Sequence, residues 1–207
     1  HVLKAEGIAI DGTVKLLPEG SRPDLSGLET YARFRSPDLE KLMIQTNRRS
    51  DNLFAEHLFK STAFDFKGFG SAANGEAAVK DFFLRHRIDS QGLHMVDGSG
   101  LSELDRISPR QLVGLLGVMW EHPNGQVFID TLPAGGEGTM RYRLNDLVVR
   151  AKTGTLNNHS GLSGYVVSSY GQTLGFSILV NDVQATWPAV ELQDYIVKML
   201  TNWTQPL

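Results

Sequence analysis

The sequence predicts an α/β protein in which helices flank an antiparallel sheet. Two observations lead to this prediction. Apolar residues recur at helical spacing up to about residue 121, and from residue 147 the pattern changes to β-branched or apolar runs that short turns separate. Sequential runs of this kind are typical of antiparallel strands, and helices bury their apolar faces against such a sheet. The predicted strands are Leu147–Lys152, Leu162–Ser168 and Thr173–Val180.

The composition narrows the possible function classes. The chain has 207 residues, of which 41% are hydrophobic, a formal net charge of −3 and no cysteine. A disordered chain, a disulfide framework and a thiolate metal site are therefore excluded. A weakly acidic chain does not favour nucleic-acid binding, and without a run of about twenty apolar residues no membrane-spanning helix is expected. The six histidines lack metal-ligand spacing, so we predict neither a metal nor another cofactor.

The first part of the chain differs from the rest. We expect a helix end over His1–Gly7, a short strand over Ile8–Ile10 and a loop over Pro18–Pro23, because glycine and proline mark turns. A domain boundary or an inter-domain crossing near residues 18 to 25 follows from this loop.

Four helices are predicted in the middle of the chain and one at its end. Ser36-Pro37 and Ser108-Pro109 each indicate a helix start, since a capping residue before a proline at the first helical position is typical there. The fourth helix runs from Ser108 to Glu121, and the third from Glu76 to His86. The last, Pro188–Leu200, should turn one apolar face to the sheet. The expected inward residues are Leu39, Leu42, Met43 and Thr46; Leu53, Phe54, Leu58 and Phe59; Val79, Phe82 and Phe83; Leu112, Leu115, Leu116 and Met119; and Val190, Tyr195, Ile196 and Met199.

Two short motifs carry chemistry. Ser50-Asp51-Asn52 lies between two predicted helices, and Lys152-Thr153-Gly154 ends the first predicted strand. They are two of the three signature elements of the serine penicillin-interacting enzymes. Each alone is weak, because Ser, Asp and Asn are ordinary cap and turn residues and a strand-end lysine is ordinarily solvated. Both motifs, in order and in these contexts, favour the catalytic interpretation.

Five blocks of the sequence form a recognisable series: Ser50–Glu56, Asp97–Ser102, Leu132–Met140, Ala151–Leu156 and Ser163–Tyr165. Together they resemble the low-molecular-mass class C penicillin-binding proteins, the D-alanyl-D-alanine carboxypeptidases/endopeptidases. The resemblance covers most of residues 25 to 200 and implies the serine penicillin-binding/β-lactamase-like fold. Residues 1–24 would then be the end of an inserted domain or a crossing segment, and residues 25–207 the C-terminal part of the D,D-peptidase domain.

The resemblance implies cleavage of peptidoglycan stem peptides ending in D-Ala-D-Ala, binding of β-lactams, and a periplasmic or other extracytoplasmic location. Binding a terminal carboxylate needs a cation and hydroxyl or amide donors, which Lys152 and Thr153 offer. By resemblance, Ser50 relays a proton, Asn52 binds the substrate's amide carbonyl, and the N–H of Thr155, which follows Gly154, is an oxyanion donor. Asp51 should face away from the cleft and stabilise the loop.

The departure from the family concerns the nucleophile. The family's serine is followed three residues later by lysine, and no serine of this chain is. We expect that the nucleophile lies upstream and that this chain alone is inactive. The alternatives are a nucleophile-free module that binds peptidoglycan or a partner, and a β-lactamase-related serine hydrolase. In the family's fold, upstream strands pair beside Thr173–Val180, so we expect the missing N-terminal half or a dimer mate to cover that edge.

The surroundings of Lys152 leave one question open. Arg141, Arg143 and Arg150 either add to a cationic rim around it or are solvated strand residues, which charged residues more often are. The whole interpretation requires that the amine of Lys152 and the hydroxyl of Ser50 line one cleft.

Overall fold

The computed structural model describes residues 2–13, 15–18, 21, 23–30 and 32–204, and the chain divides into two compact units, residues 1–36 and 37–207. In the first unit, α1 spans Val2–Ala5. Ile8–Ile10 is not the predicted strand: both isoleucines are about half exposed, and the described part of this unit offers no second strand for pairing. His1, Glu19, Gly20 and Arg22 lie outside the described residues. The assignment of residues 1–24 to an inserted domain stays a prediction.

The second unit combines helices with an antiparallel sheet, which confirms the predicted α/β class. Its elements are α2 (Leu39–Arg49), α3 (Asn52–Lys67), α4 (Ala72–Arg85), α5 (Pro109–Glu121), α6 (Gly125–Thr131), a 3₁₀ turn (Gly138–Met140), β1 (Val149–Leu156), β2 (His159–Val167), β3 (Thr173–Val180) and α7 (Trp187–Leu200).

The sheet has the strand order β1-β2-β3, and helices pack on both of its faces. On one face, Leu162 and Val166 of β2 are buried with Val197 of α7. On the other face, the Tyr165 hydroxyl donates to the carbonyl of Leu116 in α5 at 2.7 Å. Gly164 permits the close approach of β1 and β2, because a Cβ there would lie 2.1 Å from the carbonyl oxygen of the neighbouring strand.

The bounds of β1 differ from the prediction. The strand begins at Val149 and continues to Leu156, so Lys152-Thr153-Gly154 lies inside it rather than at its end. Pairing explains the difference: the register between β1 and β2 runs on to Leu156 opposite His159, across a two-residue turn. β2 accordingly begins three residues before the predicted Leu162. The bounds of β3 are as predicted.

Two helix starts also differ. α2 begins at Leu39, because its first turn closes onto the carbonyl of Asp38 rather than at Ser36-Pro37. α4 begins at Ala72, where the hydroxyl of Ser71 accepts the N–H of Asn74 at 3.1 Å. At Gly75, in the first turn of this helix, a Cβ would lie 2.4 Å from a ring carbon of Phe59. Tight packing of α4 on α3 therefore requires glycine. The short α6 was not predicted.

The predicted inner face of α7 is wrong for two of its residues. Tyr195 is 62% exposed and Met199 56% exposed, whereas Ala189, Gln193 and Val197 are buried at four-residue spacing. The centre of the buried face is polar and so interrupts the apolar pattern. The Gln193 amide nitrogen donates to the Ser160 hydroxyl at 3.1 Å, and its oxygen accepts from Arg143 at 3.0 Å.

β3 is an edge strand in the described part of the chain, where it pairs with β2 alone. Coverage of its other side by the rest of the protein or by a second copy stays a prediction. Among the described residues, no helix is both long and apolar enough to cross a bilayer.

The start of α5 gives a stability prediction. The hydroxyl of Ser108 accepts the N–H of Gln111 at 3.2 Å, and the Gln111 side chain accepts the N–H of Ser108 at 2.8 Å. Ser108→Ala removes one of these two bonds and should lower the free energy of unfolding by about 1 kcal/mol. Urea denaturation measures the change. Ser169→Ala, at an exposed position between β2 and β3, is the control, and equal effects of the two substitutions would contradict the prediction.

Candidate active site

Ser50 is the first residue of a two-residue break between α2 and α3. Its backbone is left-handed (φ 54°, ψ 49°), and its N–H closes α2 on the carbonyl of Thr46. Such a conformation is uncommon for a residue with a side chain. The next residue, Asp51, caps α3 by accepting the N–H groups of Leu53 and Phe54. The Gln45 amide and the Phe54 N–H keep the pKa of Asp51 below its ordinary value. The expectation that Asp51 stabilises this loop is confirmed.

The side chain of Lys152 reaches Ser50 from β1. Its Nζ donates to the Ser50 hydroxyl at 2.9 Å and to the carbonyl of Thr153 at 2.6 Å. The first of these bonds joins two residues that are 102 positions apart in the sequence. Burial of the amine lowers the pKa of Lys152 to about 8, since loss of water disfavours the charged form. The expected contact between residues 50 and 152 is therefore confirmed.

The predicted site residues line one cleft of about 360 Å³. β1 forms one wall of this cleft. At Gly154 a Cβ would meet nothing within 4 Å, so this part of the strand leaves room for a ligand. The roles assigned to these residues stay proposals. The predicted residues that line the cleft are Ser50, Asn52, Lys152, Thr153, Gly154 and Thr155.

A loop between α4 and α5, which contains the block Asp97–Ser102, forms another wall of the cleft. A bridge between His94 and Arg106 closes this loop at its base. Inside it, the Asp97 carboxylate accepts from the N–H groups of Gly100 and Ser102. Ser99, Gly100 and Leu101 thereby line the cleft. The turn signal was visible in the sequence, but its place beside β1 depends on tertiary contacts.

The loop is fixed against α3. The N–H of Gly98 donates to the Glu56 carboxylate at 2.6 Å. A Cβ at Gly98 would lie 2.3 Å from the Cβ of Phe59, so only glycine permits this approach. The loop wall of the cleft is consequently attached to α3.

The outer edge of β1 is covered in its first half and open in its second. The N–H of Ala151 donates to the carbonyl of Pro133 at 3.0 Å, and that of Gly135 to the carbonyl of Val149 at 3.3 Å. From Lys152 onward, the described residues provide no strand on that side. An open strand edge can accept an extended peptide as an added strand.

Two of the arginines do not contribute to a cationic rim. Arg143 is 13% exposed and pairs with Asp194 at 2.8 Å, and Arg150 donates to the carbonyl of Leu132 at 3.0 Å. Neither arginine lines the cleft. Among the described residues that line it, Lys152 is the one lysine or arginine. The described part of the chain also contains no group of three His, Asp or Glu side chains arranged as metal ligands.

Comparison with known proteins identifies the family. Residues 1–203 match the model of the D-Ala-D-Ala carboxypeptidase 3 (S13) family. The chain belongs to this family. Membership in the S13 family confirms the resemblance that the sequence motifs carried.

Curated relatives agree with the S13 assignment. The chain is 32% identical over 213 residues to a D-alanyl-D-alanine carboxypeptidase of Actinomadura sp. (strain R39), an alignment that covers 98% of this chain and 39% of the relative. It is 31% identical to carboxypeptidase DacB of Mycolicibacterium smegmatis, with 84% and 39% covered. The chain thus spans about two fifths of the length of these relatives.

Solved structures of known proteins confirm the fold. Penicillin binding protein 4 of Haemophilus influenzae, in complex with a β-lactam, superposes with a TM-score of 0.72 at 25% identity, covering 79% of this chain and 41% of that protein. A variant of the TLA-1 extended spectrum β-lactamase superposes with a TM-score of 0.61 at 17% identity, covering 79% of this chain and 63% of that protein. The S13 chain therefore has the predicted serine penicillin-binding/β-lactamase-like fold.

The burial of Lys152 predicts how stability depends on pH. Its pKa is about 8 in the folded chain against an ordinary value of 10.5. Below pH 8 the amine is charged in both the folded and the unfolded state, and the cost of burying the charge lowers stability in full. Between pH 8 and 10.5 the amine is neutral in the folded state but still charged in the unfolded state, so this cost decreases. Above pH 10.5 the amine is neutral in both states and the cost is absent. Relative to Lys152→Met, the wild-type free energy of unfolding should rise by roughly 3 kcal/mol across this window, since each pKa unit corresponds to about 1.4 kcal/mol.

Chemical denaturation at pH values from 7 to about 10.5 measures this difference. Lys198→Met, at an exposed lysine of α7, is the matched control for the change of side chain. A wild-type minus Lys152→Met difference that stays constant with pH would contradict the burial of the amine.

Proposed function

We propose that this chain forms part of the catalytic cleft of a serine D-alanyl-D-alanine carboxypeptidase/endopeptidase, which cleaves peptidoglycan stem peptides through an acyl-enzyme. The observation that supports the proposal most is the 2.9 Å hydrogen bond between Lys152 Nζ and the Ser50 hydroxyl. It lies in a cleft beside an open strand edge, in a chain of the S13 family.

The substrate we propose is an extended peptide ending in D-Ala-D-Ala, lying along the open half of β1. The ammonium group of Lys152 and the hydroxyl of Thr153 bind its terminal carboxylate, because charge-assisted hydrogen bonds are the strong ones. The Asn52 amide binds the substrate's amide carbonyl, and the N–H of Thr155 donates to the oxyanion. The bare position at Gly154 admits the peptide.

Ser50 has the geometry of a proton relay. When the nucleophilic serine attacks the peptide carbonyl, the C–N bond breaks and the leaving nitrogen needs a proton. The Ser50 hydroxyl passes a proton to that nitrogen and regains one from Lys152, which it already contacts. The hydroxyl proton of the nucleophile goes first to the lysine three residues after it and then replaces the proton that Lys152 gave up. A pKa of about 8 for Lys152 suits proton exchange near neutral pH. The nucleophile itself is no residue of this chain, so we propose that the chain alone does not acylate.

The same cleft is the proposed site of β-lactam binding, and we propose that the protein acts outside the cytoplasmic membrane, where peptidoglycan lies. The Haemophilus influenzae relative in complex with a β-lactam supports the first part of this proposal. A second candidate function, a module that binds stem peptides without cleaving them, is favoured by one observation: no serine of this chain is followed by lysine at the third position.

Acylation of the full-length protein tests the proposal. A fluorescent penicillin should label the wild type, and Ser50→Ala should slow labelling by about a hundredfold, which is the scale of a lost general acid–base group. Ser169→Ala serves as the control for the loss of a serine hydroxyl and should label at the wild-type rate.

Each possible result decides between the candidates. Labelling with slow turnover supports the peptidase, and rapid turnover of a chromogenic cephalosporin would instead support a β-lactamase-related hydrolase. A full-length protein that binds an acyl-D-Ala-D-Ala peptide but never labels would establish the binding module. Equal labelling of the wild type and Ser50→Ala would overturn the role of Ser50.

A further inference from the structure

The 3₁₀ turn brings a second hydroxyl group to Thr153. The Thr153 hydroxyl donates to the hydroxyl of Thr139 at 2.8 Å, and the two residues are 14 positions apart. Thr139 was not among the predicted site residues. Its side chain thus contacts, from outside the cleft lining, one of the two groups that we propose for binding the substrate carboxylate.

The position of this turn is fixed from two sides. Gly138 has φ +49°, and a Cβ there would lie 2.5 Å from the carbonyl oxygen of Arg48 at the end of α2. On the other side, Met140 is fully buried in the core under the sheet. Glu137 also lies 3.7 Å from the Arg48 guanidinium. Thr139 is therefore attached both to the helix that precedes Ser50 and to the core beneath β1.

The direction of the hydroxyl bond matters for carboxylate binding. A hydroxyl group has one hydrogen to donate and can accept further bonds. While Thr153 donates to Thr139, it has no hydrogen for an anion. A carboxylate is an acceptor only. For Thr153 to bind it, the pair must reverse, so that Thr139 donates to Thr153 and Thr153 donates to the carboxylate.

We propose that Thr139 is a positioning residue for carboxylate recognition: its hydroxyl orients Thr153 and donates to it when the terminal carboxylate of the substrate binds. A chain of two hydroxyls ending on an anion strengthens each bond in it, because hydrogen bonds in series polarise one another. This inference rests on the proposed function and adds a residue to its specificity for a free C-terminal carboxylate.

A purely structural role predicts different behaviour. If the hydroxyl bond only attached the turn to β1, its loss would lower stability and weaken every ligand of the cleft alike. If Thr139 positions Thr153, its loss weakens ligands with a terminal carboxylate and leaves ligands without one unchanged. Thr139→Val keeps the shape and removes the hydroxyl, and Thr139→Ser keeps the hydroxyl.

The experiment compares two substrates in the full-length protein: an acyl-D-Ala-D-Ala peptide and the same peptide with a C-terminal amide. Thr139→Val should raise KM for the acid by up to about tenfold, the upper scale of one hydrogen bond between neutral groups. It should leave kcat for the acid and both constants for the amide unchanged. Thr139→Ser should restore the KM of the wild type, with the thermal midpoint measured for all three proteins.

The outcomes separate this inference from the proposed function. Equal losses for acid and amide, or a Thr139→Ser variant that behaves like Thr139→Val, would overturn the positioning role. A wild type that cleaves neither peptide would overturn the peptidase proposal instead. In that case, the Kd values of the same two peptides, measured by calorimetry on the same three proteins, decide on Thr139. A wild type that does not prefer the acid overturns the inference in either assay.

Discussion

The hydrogen bond from Lys152 to Ser50 is the contact on which the cleft depends, because it joins the break between α2 and α3 to the middle of β1. Burial lowers the pKa of Lys152 to about 8, so a charged amine at neutral pH opposes folding. The bonds to the Ser50 hydroxyl and to the Thr153 carbonyl offset part of this cost. The apolar core around β2 supplies the rest of the stability. Burial of the amine in the cleft is locally unfavourable, and the surrounding fold maintains it.

The segments that surround the contact between Lys152 and Ser50 are likewise fixed by the rest of the fold. Ser50 has a left-handed backbone, the loop with Asp97 is fixed on α3 through Gly98, and the 3₁₀ turn lies against α2 through Gly138. Each of these segments is irregular, yet each is attached to a helix or to the core. Groups fixed in this way need little rearrangement when a ligand binds, which is how polar sites become effective in catalysis.

The sequence predicted those features that depend on local pattern. The bounds of β3, the capped start of α5 and the residues of both short motifs were found from spacing and cap chemistry. The features it missed depend on contacts between distant segments. The buried face of α7 was missed because Gln193 interrupts its apolar pattern, and the partners of Gln193, Ser160 and Arg143, are remote in sequence. Thr139 showed no signal of its own, because only the fold brings it to β1.

The proximity of residues 50 and 152 can be measured directly. The chain has no cysteine, so Ser50→Cys introduces its one thiol, and the rate of alkylation by iodoacetamide as a function of pH gives the pKa of that thiol. An ammonium group at hydrogen-bond distance lowers a thiol pKa below the ordinary value of about 8.5. We expect such a lowered thiol pKa in Ser50→Cys, and a return toward the ordinary value when Lys152→Gln is added. The same thiol pKa in both variants would show that the two side chains are not neighbours.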